Sequence, residues 1–155
     1  MAVSGFESIL SEHPFFTSLD PSQIATLGGC ARNARFDAGE YLVREGEPAD
    51  CFYLLRFGRA ALEIATPTAG SITLETVEAG EVLGWSWLFP PFKWHFDARA
   101  VTLVRAVSLD GVCLRKKCGE DARLGLALMT RFAQVAIQRL EAAQLQLLDL
   151  YAGGR

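Results

Sequence analysis

The sequence predicts an α+β domain: short helices first, then a run of short strands closing into a barrel or sandwich, then one long helix. Three observations predict it. Apolar residues recur at helical spacing over residues 5–30, and again over a much longer stretch from Glu120 to about Tyr151. Between them, from Ala31 to Leu114, apolar and polar residues alternate, as in Leu62-Glu63-Ile64 and Ile72-Thr73-Leu74-Glu75. Glycine turns punctuate that middle stretch at short intervals. The 155 residues make a single domain, 1–155, long enough to bury a core.

Each element has a local reason. Phe6, Ile9 and Leu10 share one helical face, and His13-Pro14 ends that helix because a residue before proline is pushed out of the α region. Asp20-Pro21-Ser22-Gln23 then starts a second helix. Asp20 caps it, Pro21 suits the first turn and Gln23 completes a capping box; Gly28-Gly29 stops it. Strands are expected at Glu40–Arg44, Phe52–Arg56, Ala60–Ala65, Ile72–Val77, Ala98–Val104 and Ala106–Leu109. Turns are expected at Asp37-Ala38-Gly39-Glu40 and Glu45-Gly46-Glu47-Pro48, with a hairpin end between Pro67 and Gly70. The basic run Arg115-Lys116-Lys117 reads as a solvated turn.

The last helix contains no proline, and Glu120 and Asp121 complement its dipole. Met129, Ala133, Ala136, Leu140, Ala143, Leu147 and Leu150 alternate four and three residues apart, a heptad seam. A helix of this length overhangs a small barrel. The seam therefore predicts a two-stranded coil and a homodimer.

Net charge is −3, which weighs against a nucleic-acid surface and so against direct DNA binding. No stretch has the make-up of a signal peptide or the length of a membrane span. The four cysteines, Cys30, Cys51, Cys113 and Cys118, form no C-x-x-C pair. They read as reduced, buried small side chains of a cytoplasmic protein. No nucleophile–base pair or metal-ligand motif stands out, so no catalytic or metal-binding residue is expected.

Three segments carry a resemblance. They are Phe36-Asp37-Ala38-Gly39-Glu40-Tyr41-Leu42-Val43-Arg44-Glu45-Gly46, then Asp50-Cys51-Phe52-Tyr53-Leu54-Leu55-Arg56-Phe57-Gly58, then Gly80-Glu81-Val82-Leu83-Gly84. In order and spacing they resemble the cyclic nucleotide-binding domain of the catabolite-activator and Fnr-type sensor family. The resemblance implies a β-roll, a jelly-roll-like double sheet, over 31–114. It places a phosphate-binding cassette at 80–100 and a dimerising helix at 120–151. It also implies a regulatory domain rather than an enzyme, a possible partner protein under regulation, and a cyclic nucleotide or another small anionic or aromatic ligand. The candidate ligand-binding residues are Gly80, Glu81, Val82, Leu83, Gly84, Trp85, Ser86, Trp94, His95 and Arg99. A short helix after the glycines would offer its N–H groups to phosphate.

The cassette departs from the family pattern at two charges. Trp85 stands where relatives carry the ribose-binding glutamate. Trp94 or His95, depending on the direction of counting, stands where they carry the phosphate-binding arginine. Losing both charged contacts forfeits on the order of 3–6 kcal/mol, so ordinary cyclic AMP binding is not expected. The aromatic residues Trp85, Trp87, Phe89, Phe92, Trp94 and Phe96 could fill the old pocket, line a pocket for a different ligand, or face a partner. Arg99 is expected in an ion pair with Asp97 or Glu81, and Glu81 in support of the turn. Relatives that regulate transcription continue into a hinge and a helix-turn-helix. Here a hinge-like start follows Leu147 and the chain stops, which reads as a sensor module without its own DNA reader, or as the sensor half of one.

Overall fold

The computed structural model describes residues 5–153. Helix α1 (Gly5–Glu12) leads through a single 3-10 turn, Pro14–Phe16, to α2 (Pro21–Gly28). The α2 start is built as the sequence predicts. Asp20 accepts from Gln23 N–H at 2.9 Å and Gln23 Oε1 accepts from Asp20 N–H at 3.0 Å.

Eight strands follow: β1 (Ala31–Phe36), β2 (Tyr41–Val43), β3 (Cys51–Phe57), β4 (Arg59–Thr66), β5 (Gly70–Glu78), β6 (Val82–Leu83), β7 (Asp97–Ala100) and β8 (Val104–Asp110). They form two antiparallel four-stranded sheets, ordered β1-β8-β3-β6 and β2-β7-β4-β5. Facing each other, the sheets make the expected β-roll. Helix α3 (Gly111–Glu120) and the 32-residue α4 (Ala122–Gly153) complete the chain.

The period-two alternation of β3 divides the core in two. Phe52 and Leu54 join Leu10, Phe16, Trp87, Leu109, Leu128 and Phe132 on the helix side of the first sheet. Tyr53 and Leu55 face the roll interior with Leu62, Leu83, Trp94, Ala98 and Val104. Both faces of β3 are therefore covered, which is why its sequence, CFYLLRF, is apolar almost throughout.

Several sequence expectations need correction. Strand β1, ARNARF, has only half-buried and exposed positions, so its polar sequence hid it. The two-residue β6 was too short to read. The expected strand Ala98–Val104 is two strands, with β7 ending at Ala100 and β8 starting at Val104. Thr102 breaks it: its Oγ1 accepts from Arg59 N–H at 3.1 Å, pinning a turn there. The roll closes at Asp110 rather than Leu114, because Asp110 caps α3 by accepting from Cys113 N–H at 3.0 Å. Arg115, Lys116 and Lys117 thus lie on a helix and not in a turn. Asp121 is extended at φ −130° and accepts from the N–H groups of Arg123 and Leu124, which separates α3 from α4.

The four-thiol expectation is also overturned. Cys30 and Cys113 are joined in a disulfide, while Cys51 and Cys118 are free. The pairing spans 83 residues, so no local spacing signals it; the fold sets the end of α2 beside the first turn of α3. Among the described residues no helix is long and apolar enough to cross a membrane. The hinge-like end partly lies in residues 154 and 155, outside the described residues; Ala152 and Gly153 continue α4.

Candidate functional site

The cassette begins at the turn between β5 and β6, which is stitched to β3. Gly80 N–H donates to Leu55 O at 2.9 Å, and Leu55 N–H donates to Glu81 O at 3.0 Å. Glu81 supports this turn as expected, its Oε1 accepting from Glu78 N–H at 2.9 Å. Val82 and Leu83 are buried as β6 against Leu54 and Tyr53. They are core residues, Val82 on the helix side of the first sheet and Leu83 in the roll interior.

Gly84 decides what the cassette can hold. Its φ is +99°, a conformation L side chains rarely adopt. A Cβ there would lie 2.6 Å from Trp94 Cζ3. The space beside the glycine, where a ligand backbone contact would be made, is taken by the Trp94 ring. Trp94 is 4% exposed, belongs to the roll interior and tilts against Phe96 at 5.9 Å between centroids. Its segment is clamped from outside: Trp94 N–H donates to Glu47 O at 3.0 Å and Gly46 N–H donates to Trp94 O at 2.8 Å. Pro48 bridges Lys93, and Ala49 N–H donates to Phe92 O at 2.7 Å.

The expected phosphate-facing helix is a single 3-10 turn, Ser86–Leu88, that follows β6 and not the glycine pair directly. Ser86 is buried. Trp87 is wholly buried, stacked on Phe52 at 5.0 Å and edge-on to Phe132, so it serves the helix-side core. Arg115 of α3 holds this turn from behind. Its guanidinium donates to Trp87 O at 2.6 Å and lies over the Phe92 ring at 4.4 Å. Phe89 is exposed.

The candidate residues do not all converge. His95 is exposed, and among the described residues no cluster of three or more His, Cys, Asp or Glu could hold a metal. Arg99 departs from its expected partner. It alternates with the inward-facing Ala98 and Ala100, and it grips Glu63 of β4 through two bonds of 3.0 Å. Position on β7, not nearness in sequence to Asp97, chose that partner; Asp97 instead accepts from Arg44 and from Glu45 N–H. Arg99 is thereby a structural cation on the outer face of the second sheet. The Glu63 contacts hold it protonated, raising its pKa further.

One contributor was not singled out in the sequence. Arg139 of α4 is buried against the cassette, donates to Val82 O, pairs with Glu75 at 3.5 Å and lies 5.1 Å from the Trp85 ring centroid. Its Nη1 is buried without a partner. Burial lowers the Arg139 pKa and raises that of Glu75. Arg139 sits one residue before Leu140 of the seam, and that adjacency, a cation beside an apolar stripe, was its only sequence signal. A hollow of about 390 Å³ lies here, lined by Leu74, Glu75, Trp85, Arg139 and the seam residues Ala136, Leu140 and Ala143.

Helix α4 uses one face for its own domain, through Leu124, Leu128, Phe132 and Val135. The seam is turned away from that face. Met129, Leu140, Leu147 and Leu150 are exposed, Leu150 by 72%, and so is Leu126, which extends the seam by one step.

A β-roll with a glycine-turn cassette, flanked by helices and a long C-terminal helix, is the architecture of a regulatory domain. The cyclic nucleotide-binding domain family description matches residues 34–121, more than half of the chain. The chain belongs to that family. It is 27% identical over 144 residues to a CRP-like cAMP-activated global transcriptional regulator of Mycobacterium tuberculosis, covering 93% of this chain and 62% of that protein. Over 55 residues it is 42% identical to a cAMP-dependent protein kinase regulatory subunit of Emericella nidulans, covering 36% of this chain and 13% of that one. The chain thus spans less than two thirds of the length of either curated relative. Among solved structures, a cyclic nucleotide-binding protein from Geobacter metallireducens superposes with TM-score 0.79 at 28% identity, covering 90% of this chain and 99% of that one. The sensor domain of the regulator DNR from Pseudomonas aeruginosa gives 0.70 at 24%, covering 87% and 91%, a likeness of fold.

Proposed function

We propose that this chain is a non-enzymatic, ligand-sensing regulatory domain, dimeric through α4, that does not hold a cyclic nucleotide in the usual way. The observation that carries this reading is the Trp94 ring packed on Gly84. It fills the ground a sugar-phosphate would need, and neither Trp85 nor Trp94 can replace a carboxylate or a guanidinium. The hollow between Trp85, Glu75 and Arg139 suits a small aromatic or anionic ligand instead, with one ring to stack on and one cation to pair with. Its wall includes the seam residues Ala136, Leu140 and Ala143, so occupancy there would act directly on the dimer helix. A ligand shifts such an equilibrium only by its differential affinity for the two helix positions.

The test is a thermal shift and tryptophan-emission titration with cyclic AMP and cyclic GMP. The wild-type chain is expected not to respond at micromolar nucleotide. Trp85→Glu combined with Trp94→Arg is expected to gain a response. A micromolar response by the wild-type chain would overturn the reading. A panel of aromatic carboxylates and small anions then separates sensing from a ligand-free interaction module, which the aromatic filling also fits; silence from the whole panel favours the latter. The dimer is tested by sedimentation, with Leu140→Asp expected to halve the mass.

A further inference from the structure

A second built feature lies away from the cassette, at the end of β3. The register against β8 slips between Leu55 and Phe57, so that Leu55 faces Ala106 and Phe57 faces Arg105, while Arg56 is the extra residue of a bulge. Bulges re-aim side chains, and this one brings Arg56 and Phe57 together beside Arg105. With Leu103 these residues line a hollow of about 430 Å³. Gly58 closes the hairpin immediately after. At its φ of +90° a Cβ would overlap Leu103 O and lie 2.9 Å from Thr102 Oγ1, so the strand end is held tightly.

The charges at this place are not accounted for by the fold. Arg105 stands directly opposite Arg35 of β1, a like-charge cross-strand pair. Arg35 turns to Asp37 at 3.2 Å. Among the described residues, neither Arg56 nor Arg105 makes an ion pair or a side-chain hydrogen bond. Phe57, next to Arg56 in the chain and paired across the strands with Arg105, is 55% exposed. The chain as a whole carries a net charge of −3, so a local cationic patch that includes an exposed aromatic stands out against its own surface.

We propose that the bulge at Arg56-Phe57, with Leu103 and Arg105, is a docking site for an acidic segment of a partner protein. Two carboxylates would pair with Arg56 and Arg105, and a bulky apolar side chain between them would cover Phe57 and Leu103. An aromatic or arginine at the centre of a contact, rimmed by charge, is the composition that anchors protein partners. The patch holds too few cations, in a chain that is acidic overall, to track a nucleic-acid backbone.

The test is a nitrogen–proton correlation spectrum of the full chain, titrated with the capped peptide Glu-Glu-Phe-Glu-Glu. Amide shifts are expected at Arg56, Phe57, Leu103 and Arg105. They should be lost when glutamine replaces the peptide's glutamates. Arg56→Gln and Arg105→Gln, both at exposed positions, should each weaken binding about tenfold without lowering the melting temperature. Absent shifts, shifts centred elsewhere, equal binding of the glutamine peptide, or unaltered binding by the double variant would each overturn the proposal. An oligothymidine strand binding the patch more tightly than the peptide would overturn it in favour of a nucleic acid.

Discussion

Replacing Gly84 by alanine probes the packing on which the functional reading stands. Two separate costs arise. The backbone at φ +99° penalises any L side chain by about 1–2 kcal/mol. The new methyl would also meet the Trp94 ring at 2.6 Å from Cζ3, and a buried, clamped ring can give little, so overpacking adds about 1–3 kcal/mol. Gly84→Ala is therefore expected to destabilise the domain by about 2–5 kcal/mol. The second cost depends on Trp94 and the first does not. In a Trp94→Leu background, Gly84→Ala should cost only the backbone part, about 1–2 kcal/mol. Urea unfolding followed by far-UV circular dichroism measures all four proteins without relying on the altered tryptophan. A coupling energy indistinguishable from zero, or a neutral Gly84→Ala, would refute the claim that Trp94 occupies the ground beside the glycine.

Other perturbations probe the neighbouring links. Arg139→Met removes the cation that ties α4 to Glu75 and Val82 and is expected to cost about 1–3 kcal/mol, part of it from leaving Glu75 unpaired; an unchanged urea midpoint and unchanged tryptophan emission would contradict the tie. His13 is buried, and its Nδ1 accepts from Phe15 N–H at 3.2 Å, which requires the neutral ring. Burial lowers its folded pKa below 6.5, with nearby Arg56 acting in the same direction. The unfolded chain then takes up the proton first, so this contribution is whole above pH 6.5 and is lost as pH falls below it. A His13→Phe variant should show a flatter stability slope between pH 6.5 and 5 in matched melts; an identical slope would exclude this histidine. Cys30→Ser opens a cross-link spanning 83 residues and should cost about 2–4 kcal/mol. Thiol titration of the denatured, unreduced wild-type chain should find two thiols, not four.

Much of the architecture was legible because local chemistry dictated it. The Asp20 capping box, the alternation in β4 and β5 and the proline-free run of α4 each point to one local structure. The expected departure of the cassette from the family pattern rests on Trp85 and on Trp94 or His95, none of which is the glutamate or arginine of that pattern. Less visible were elements whose reason lies in their neighbours. Strand β1 carries little apolar signal because it is an edge strand completed by β8, and α3 is short with a weak apolar stripe. Arg99 found Glu63 across the sheet, and Cys30 found Cys113 across 83 residues, by contacts that no spacing rule encodes.

By itself, then, the sequence determined the order and type of most of the main elements, the heptad seam of the last helix and the aromatic make-up of the cassette. These follow from periodicity, turn residues and side-chain chemistry, which act within a few positions. Only the tertiary structure decided which ring does what: Trp87 serves the helix-side core, Trp94 closes the cradle over Gly84, and Trp85 is left beside Arg139 of α4. The same three tryptophans could have lined an open pocket. Trp85 and Trp87 reach the helix side of the first sheet and Trp94 the roll interior, and that is set by strand register and loop closure over long separations.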